Sequence, residues 1–134
     1  MIKEVIIALI AVESGGNPDA VGDGGRAVGI LQMWPIAVAE ANRLEGIEAR
    51  REGRPVRTWT LGDRKCPKKS RDMAYVTLRW HYRRGVTDPV ALGGRWRNPG
   101  GNAPSWYLER VRNALETEQQ RKQGKRGRHE NENL

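Results

Sequence analysis

The chain has 134 residues, room for one domain around one core. Its 24 Lys and Arg against 16 Asp and Glu give a formal net charge of +8, so an anionic partner is expected: nucleic acid, phospholipid or an acidic polymer. The single Cys66 excludes an internal disulfide and a multi-Cys zinc site, and His81 and His129 supply no metal-like ligand spacing, so no metal or cofactor is expected. Phe is absent while Trp occurs five times and Tyr three times, a supply of amphipathic rings that suits a sugar-stacking groove as well as an ordinary small core.

Ile2, Val5, Ile6, Leu9 and Ile10 recur at helical spacing, so the first segment is an amphipathic helix. Glu13 is the next position on that stripe, and Gly15-Gly16 with Asn17-Pro18 ends the helix. The run from Met1 to Val12 faintly resembles a secretory leader. It is short, Glu4 interrupts its approach, and no good small-residue cleavage site precedes the Glu13 segment. It is read as mature structure, with no export signal and no membrane span expected.

Residues 17 to 30 are rich in Gly and Asp and predict a small hairpin or flap. Pro35 suits the first turn of a second helix running to about Ile47. Residues 48 to 69 form a basic, Pro- and Gly-punctuated excursion with a short element near Trp59 to Leu61. Ser70 is positioned to cap a third helix from about Arg71 to Arg84, and Asp88-Pro89 to start a short fourth helix through Leu92. Residues 93 to 104 read as a loop, and Ser105 as the cap of a last helix burying Leu108, Val111 and Leu115. From Thr117 to Leu134 charges dominate, so a frayed or disordered tail (117–134) is expected behind a catalytic unit of residues 1–116. The fold class is therefore mainly α, one helical domain with a small β element.

A glutamate on an apolar stripe is costly to ionise, and the negative end of the helix dipole disfavours its carboxylate further. A raised carboxyl pKa is what a general acid needs near neutral pH. Glu13 therefore stands as a candidate acid, although a solvent-facing Glu at a helix end would have the same sequence. Its context distinguishes the two. Glu13-Ser14-Gly15-Gly16-Asn17-Pro18 leads through the flap to Ala27-Val28-Gly29-Ile30-Leu31-Gln32-Met33-Trp34-Pro35.

This arrangement resembles the Slt-type lytic transglycosylases and the related goose-type lysozymes. In that family a Glu-Ser at a helix end is followed by Asn-Pro, a flap and a Gly-Leu-Met-Gln block; here the middle pair is Ile30-Leu31, a nearly volume-conserving change. The resemblance covers roughly the first third of the chain and implies an α+β lysozyme-like fold with a cleft beside the flap. It implies that Glu13 protonates the glycosidic oxygen between N-acetylmuramic acid and N-acetylglucosamine, then takes the proton of the C6 hydroxyl, leaving a 1,6-anhydro end. Ser14 would bond the N-acetyl group or Glu13, Gln32 would bond the sugar beside the cleaved bond, and Gly29 would let backbone approach the ligand.

The family's later Trp-Asn-Gly-Gly element has its nearest counterpart in Gly94-Arg95-Trp96-Arg97-Asn98-Pro99-Gly100-Gly101, with residues inserted. On that resemblance Trp96 stacks on a pyranose and Asn98 bonds the N-acetyl group, whereas a Gly-rich turn with one buried Trp is the plainer reading. Tyr107 lines the site or fills the core.

A hydrolytic lysozyme is the near alternative. If inverting, it needs a second carboxylate roughly 6.5–9.5 Å from the acid, for which Asp19, Asp23 and Asp63 are the candidates. From other classes, a basic nucleic-acid-binding protein or an inactive structural virion protein would suit the charge and tail. The first leaves the Glu13 to Gln32 arrangement unexplained, and the intact Glu13 argues against the second, whose lysozyme-like fold would have lost activity; peptidoglycan glycan strands are therefore the expected partner and nucleic acid is not. The basic bursts, including Arg50-Arg51-Arg54-Arg57, read either as a surface holding the acidic wall polymer or as a solvated face. A wall-cleaving enzyme without an export signal implies another delivery route, such as carriage in a phage virion, with virion or export proteins as further partners.

Overall fold

The computed structural model describes the backbone of residues 1–132 and the side chains of residues 1–124. Five α-helices are formed among these residues: α1 (Ile2–Glu13), α2 (Pro35–Glu52), α3 (Pro67–Arg83), α4 (Pro89–Arg97) and α5 (Ser105–Glu132). Between α1 and α2 lies the flap. Its strands β1 (Val21–Gly22) and β2 (Ala27–Val28) pair antiparallel, with Val21 opposite Val28, around a 3-10 turn at Asp23–Gly25. The mainly helical fold with one small antiparallel element agrees with the α+β expectation.

Val5, Ile6 and Leu9 of α1 pack with Val38, Ala41 and Leu44 of α2, Met73, Val76 and Leu78 of α3, Leu92 of α4, and Tyr107 and Val111 of α5. Those α1 residues are the apolar stripe of the sequence, so the stripe that points to the core also carries its last member, Glu13, to the edge of that core.

Four elements differ from expectation. Helix α2 continues past Ile47 to Glu52 and ends on Gly53 at φ 66°, a left-handed C-terminus that glycine accepts readily. The extra turn carries Glu48, and with Glu45 it forms two buried anchors for basic residues. Arg54 and Arg57 each place a nitrogen 2.7 Å from a Glu45 carboxylate oxygen, and Arg79 and Arg83 both pair with Glu48. Burial alone would raise the Glu45 pKa. Hydrogen bonds from both arginines, with their charges, outweigh it and hold the carboxyl down at about 2. Two arginines of the basic excursion, Arg54 and Arg57, therefore brace the fold from within.

Helix α3 starts at Pro67, not Arg71, with Cys66 as its cap residue. Ser70 is not a cap: it is fully buried inside the helix and its hydroxyl donates to the Arg64 carbonyl at 2.9 Å. Helix α4 is capped by Asp88 as expected, the carboxylate accepting from the Ala91 N–H at 2.9 Å, but it runs on through Trp96 to Arg97. The Gly93-Gly94 pair that reads as a loop is a site of close helix packing. A Cβ on Gly93 would lie 2.7 Å from a Val111 methyl, and one on Gly94 would lie 2.7 Å from a Leu108 methyl. Helix propensity loses here to the contact that α4 makes with α5.

The expected tail is helical as far as the description reaches, because α5 continues without a break from Ser105 to Glu132. Its second half is tied by charge: Arg121 pairs with Glu118 at 2.7 Å, and Lys122 reaches Glu4 on α1 at 3.1 Å. The expected disorder of residues 133–134 lies outside the described residues. No helix among the described residues is long and apolar enough to cross a membrane.

Candidate active site

Glu13 is the last residue of α1, half-buried, where the helix meets both the flap and the start of α5. The Tyr107 hydroxyl, from 94 positions downstream, donates to Glu13 Oε1 at 2.6 Å. Tyr107 is itself only 3% exposed, so it is both core and site: its ring packs inside and its hydroxyl fixes the carboxyl.

Burial raises the Glu13 pKa. The Tyr107 hydrogen bond and the Arg97 charge oppose this, Asp23 adds to it, and the net direction is up. The Tyr107 hydroxyl is pushed upward too, by burial and then by the neighbouring carboxylate, so it stays a donor at any ordinary pH.

The block after the flap is built from tight backbone geometry. Ser14 Oγ donates to the Ile30 carbonyl at 2.7 Å and accepts from the Gly16 N–H at 3.1 Å. Its proton thus secures the flap to the end of α1, whereas the resemblance implied a bond to the N-acetyl group or to Glu13. Gln32 has φ 49°, unusual for a residue with a side chain, and its amide nitrogen donates to the carbonyls of Ala20 and Gly29, both at 3.0 Å. Its donors are engaged on the flap, while Oε1 lies over Gly22, where a Cβ would come within 2.7 Å of it.

Gly29 is required for a different approach from the one expected. At φ 86° its Cβ would sit 1.9 Å from the Arg64 carbonyl oxygen, so the backbone that comes close is the chain's own. Arg64 belongs to a 3-10 turn, Leu61–Lys65, inside the 48–69 excursion. Its guanidinium also donates to the Met33 carbonyl at 3.1 Å and the Arg26 carbonyl at 3.2 Å. The excursion therefore underpins the flap.

Trp96 sits on α4, partly buried, with its indole N–H on the Leu31 carbonyl at 3.1 Å. It anchors the Gly29–Gln32 block from the core side, which corrects the reading of it as a loop residue. Asn98 terminates α4, and its Oδ1 is out of contact with solvent and has no hydrogen-bond partner.

The three candidate second carboxylates separate clearly. Asp63 is a capping group: it accepts from the Thr60 N–H at 2.8 Å and pairs with Lys69 at 3.1 Å, and these contacts hold its pKa down. Asp19 lies exposed in an Asn17 turn, its N–H on Asn17 Oδ1 at 3.0 Å. Only Asp23 acts on Glu13 electrostatically. Its carboxylate accepts from the Trp34 indole at 3.2 Å, and the Trp34 ring, 37% exposed, carries the Arg26 guanidinium 5.3 Å from its centre.

Three residues around the candidate site were given no role from sequence. Trp34 follows the Gly29–Gln32 block directly, and that adjacency was the available signal. Arg97 and Trp106 gave none, since only the packing of α4 on α5 brings Arg97 over the rings of Trp106 and Tyr107 and within electrostatic reach of Glu13. Among the described residues no cluster of His, Cys, Asp and Glu is arranged to hold a metal ion.

The family model described as the transglycosylase SLT domain matches residues 1–93, which include Glu13, the flap and the Gly29–Gln32 block. The chain belongs to this transglycosylase SLT family. Its members are lytic transglycosylases acting on peptidoglycan, and the chain is an enzyme of that class. No curated protein and no solved structure gives a significant match. The matched SLT region ends before Trp96, Arg97 and Tyr107.

Proposed function

We propose that Glu13 is the general acid and base of this transglycosylase and that its product carries a 1,6-anhydro-muramic end. The observation that carries the reading is the half-buried Glu13 carboxyl with its pKa raised by burial and Oε1 held by Tyr107 at 2.6 Å. Protonated Glu13 gives its proton to the oxygen between N-acetylmuramic acid and N-acetylglucosamine as the C1–O bond breaks. The N-acetyl oxygen of the substrate supports the electron-poor C1. Glu13, now a carboxylate, accepts the proton of the C6 hydroxyl as O6 bonds to C1. No water is consumed and one protein carboxylate suffices, which accords with Asp63 being engaged elsewhere.

Hydrolysis is favoured by one observation, the influence of Asp23 on Glu13. Mass spectrometry of fragments from purified peptidoglycan decides between the two. Anhydro-ended fragments are the expected result. Reducing ends would transfer the reaction to a muramidase with Asp23 as the second carboxylate, and no fragments would overturn both.

Tyr107→Phe tests the positioning of the acid. The hydroxyl stabilises the Glu13 carboxylate, so removing it moves the Glu13 pKa further up. The step needs protonated Glu13, and activity falls as pH rises through that pKa. The alkaline limb of the pH–rate profile should therefore move to higher pH, while kcat at the optimum drops about tenfold from lost orientation. A lower kcat with an unmoved limb would make Tyr107 a packing residue only.

A further inference from the structure

Trp106, half-exposed on the first turn of α5, carries two guanidinium groups on its ring. Arg97 lies 4.8 Å from the ring centre and Arg110 lies 5.1 Å from it. Arg97 also lies 5.6 Å from the centre of the Tyr107 ring, whose hydroxyl holds Glu13.

Other arginines here are spoken for. Arg54 and Arg57 pair with Glu45, Arg79 and Arg83 with Glu48, and Arg112 with Glu109. Arg97 and Arg110 are both exposed, and the guanidinium group of neither makes a hydrogen bond or ion pair with any described residue. Two like charges gathered on one ring repel, and stacking offsets this only in part. Stacking leaves the edges of each guanidinium, where the N–H groups point, open to a planar anion, and Arg is suited to bind a carboxylate through two parallel hydrogen bonds.

We propose that Arg97 and Arg110, stacked on Trp106, form a carboxylate clamp that holds a peptide-stem carboxylate of the substrate beside the bond to be cleaved. The proposal rests on the peptidoglycan-cleaving reading of the Glu13 site. Its chemical reason is that the glycan backbone is uncharged, so an anion this close to the scissile bond comes from the stem borne by the muramic acid residue. The clamp makes the enzyme selective for stem-bearing strands with free carboxylates.

The test uses the full chain and two substrates: peptidoglycan freed of teichoic acid, and the same material with its carboxyl groups converted to methylamides. The native chain should prefer the carboxylate form. In the double variant Arg97→Gln/Arg110→Gln that preference in kcat/KM should fall about tenfold, carried mainly by KM. Arg97→Lys, which keeps the charge and loses the fork, should recover only part of it when compared with Arg97→Gln. Both positions are exposed, and an unchanged melting temperature confirms that the variants fold. An undiminished preference in the double variant, or an equal loss on both substrates, would overturn the clamp while leaving the Glu13 reading in place. Failure of the native chain to cleave either substrate would instead remove the peptidoglycan reading itself.

Discussion

Glu13→Gln is expected to lower peptidoglycan cleavage by about a thousandfold or more, with substrate binding largely retained. Glutamine has the same shape and can still accept the Tyr107 hydrogen bond, but it has no proton to give and no base to form afterwards. Stability should move in the opposite direction. Burial raises the Glu13 pKa in the folded chain above its ordinary carboxyl value. The folded state therefore holds its proton more tightly than the unfolded state, and stability falls as pH rises from the unfolded to the folded pKa. Above that window the native enzyme carries a disfavoured carboxylate that the variant lacks. At neutral pH the Glu13→Gln chain should melt at or above the native temperature, and in acid the difference should vanish. Single-turnover cleavage and thermal unfolding check the two halves. Loss of activity together with a lower melting temperature at neutral pH would point to a structural glutamate.

Gly29→Ala should be the most damaging single-methyl addition at the flap. The new Cβ would meet the Arg64 carbonyl oxygen at 1.9 Å, and that oxygen belongs to backbone that also accepts the Ser70 hydroxyl. No side chain can swing aside, and φ 86° is a conformation an alanine rarely adopts. Overpacking and backbone strain together should cost about 3–5 kcal/mol, a large share of what a small domain has. Chemical denaturation measures this loss. Activity should fall as well, since displacing the Leu61–Lys65 turn withdraws the Arg64 guanidinium from the carbonyls of Arg26 and Met33. Gly53→Ala provides the contrast: φ is also left-handed there but no atom lies within 4 Å, so the cost should be only about 1 kcal/mol. Equal effects at the two glycines would show that backbone conformation, and not the contact with Arg64, makes Gly29 necessary.

Local chemistry was legible wherever one segment determined its own structure. The apolar stripe of α1 set both the helix and the side on which Glu13 would lie. The Gly-Asp segment announced the flap, Pro35 announced α2, and Asp88-Pro89 announced α4. The order Glu13-Ser14, Asn17-Pro18, Gly29 to Gln32 carried the family, because those residues lie within one helix–flap–helix unit.

Where a residue's role depended on a distant partner, sequence placed the residue but not the role. Glycine is a loop signal locally, yet Gly93 and Gly94 lie inside α4 because Val111 and Leu108 leave no room for a side chain. Gly29 similarly serves the Arg64 carbonyl, and Ser14 serves the Ile30 carbonyl. Glu45 and Glu48 carry no local signal of burial, yet they are buried anchors for arginines 9 to 35 positions away. The sequence alone determined that a glutamate stands at the end of an apolar helix beside a flap. Only the tertiary structure decided that Tyr107 holds the Glu13 carboxyl, that its burial raises the pKa, and that Arg97 and Arg110 share the ring of Trp106. The reason is physical: helix periodicity and turn chemistry act over a few residues, whereas these contacts depend on where α4 and α5 come to rest on the core.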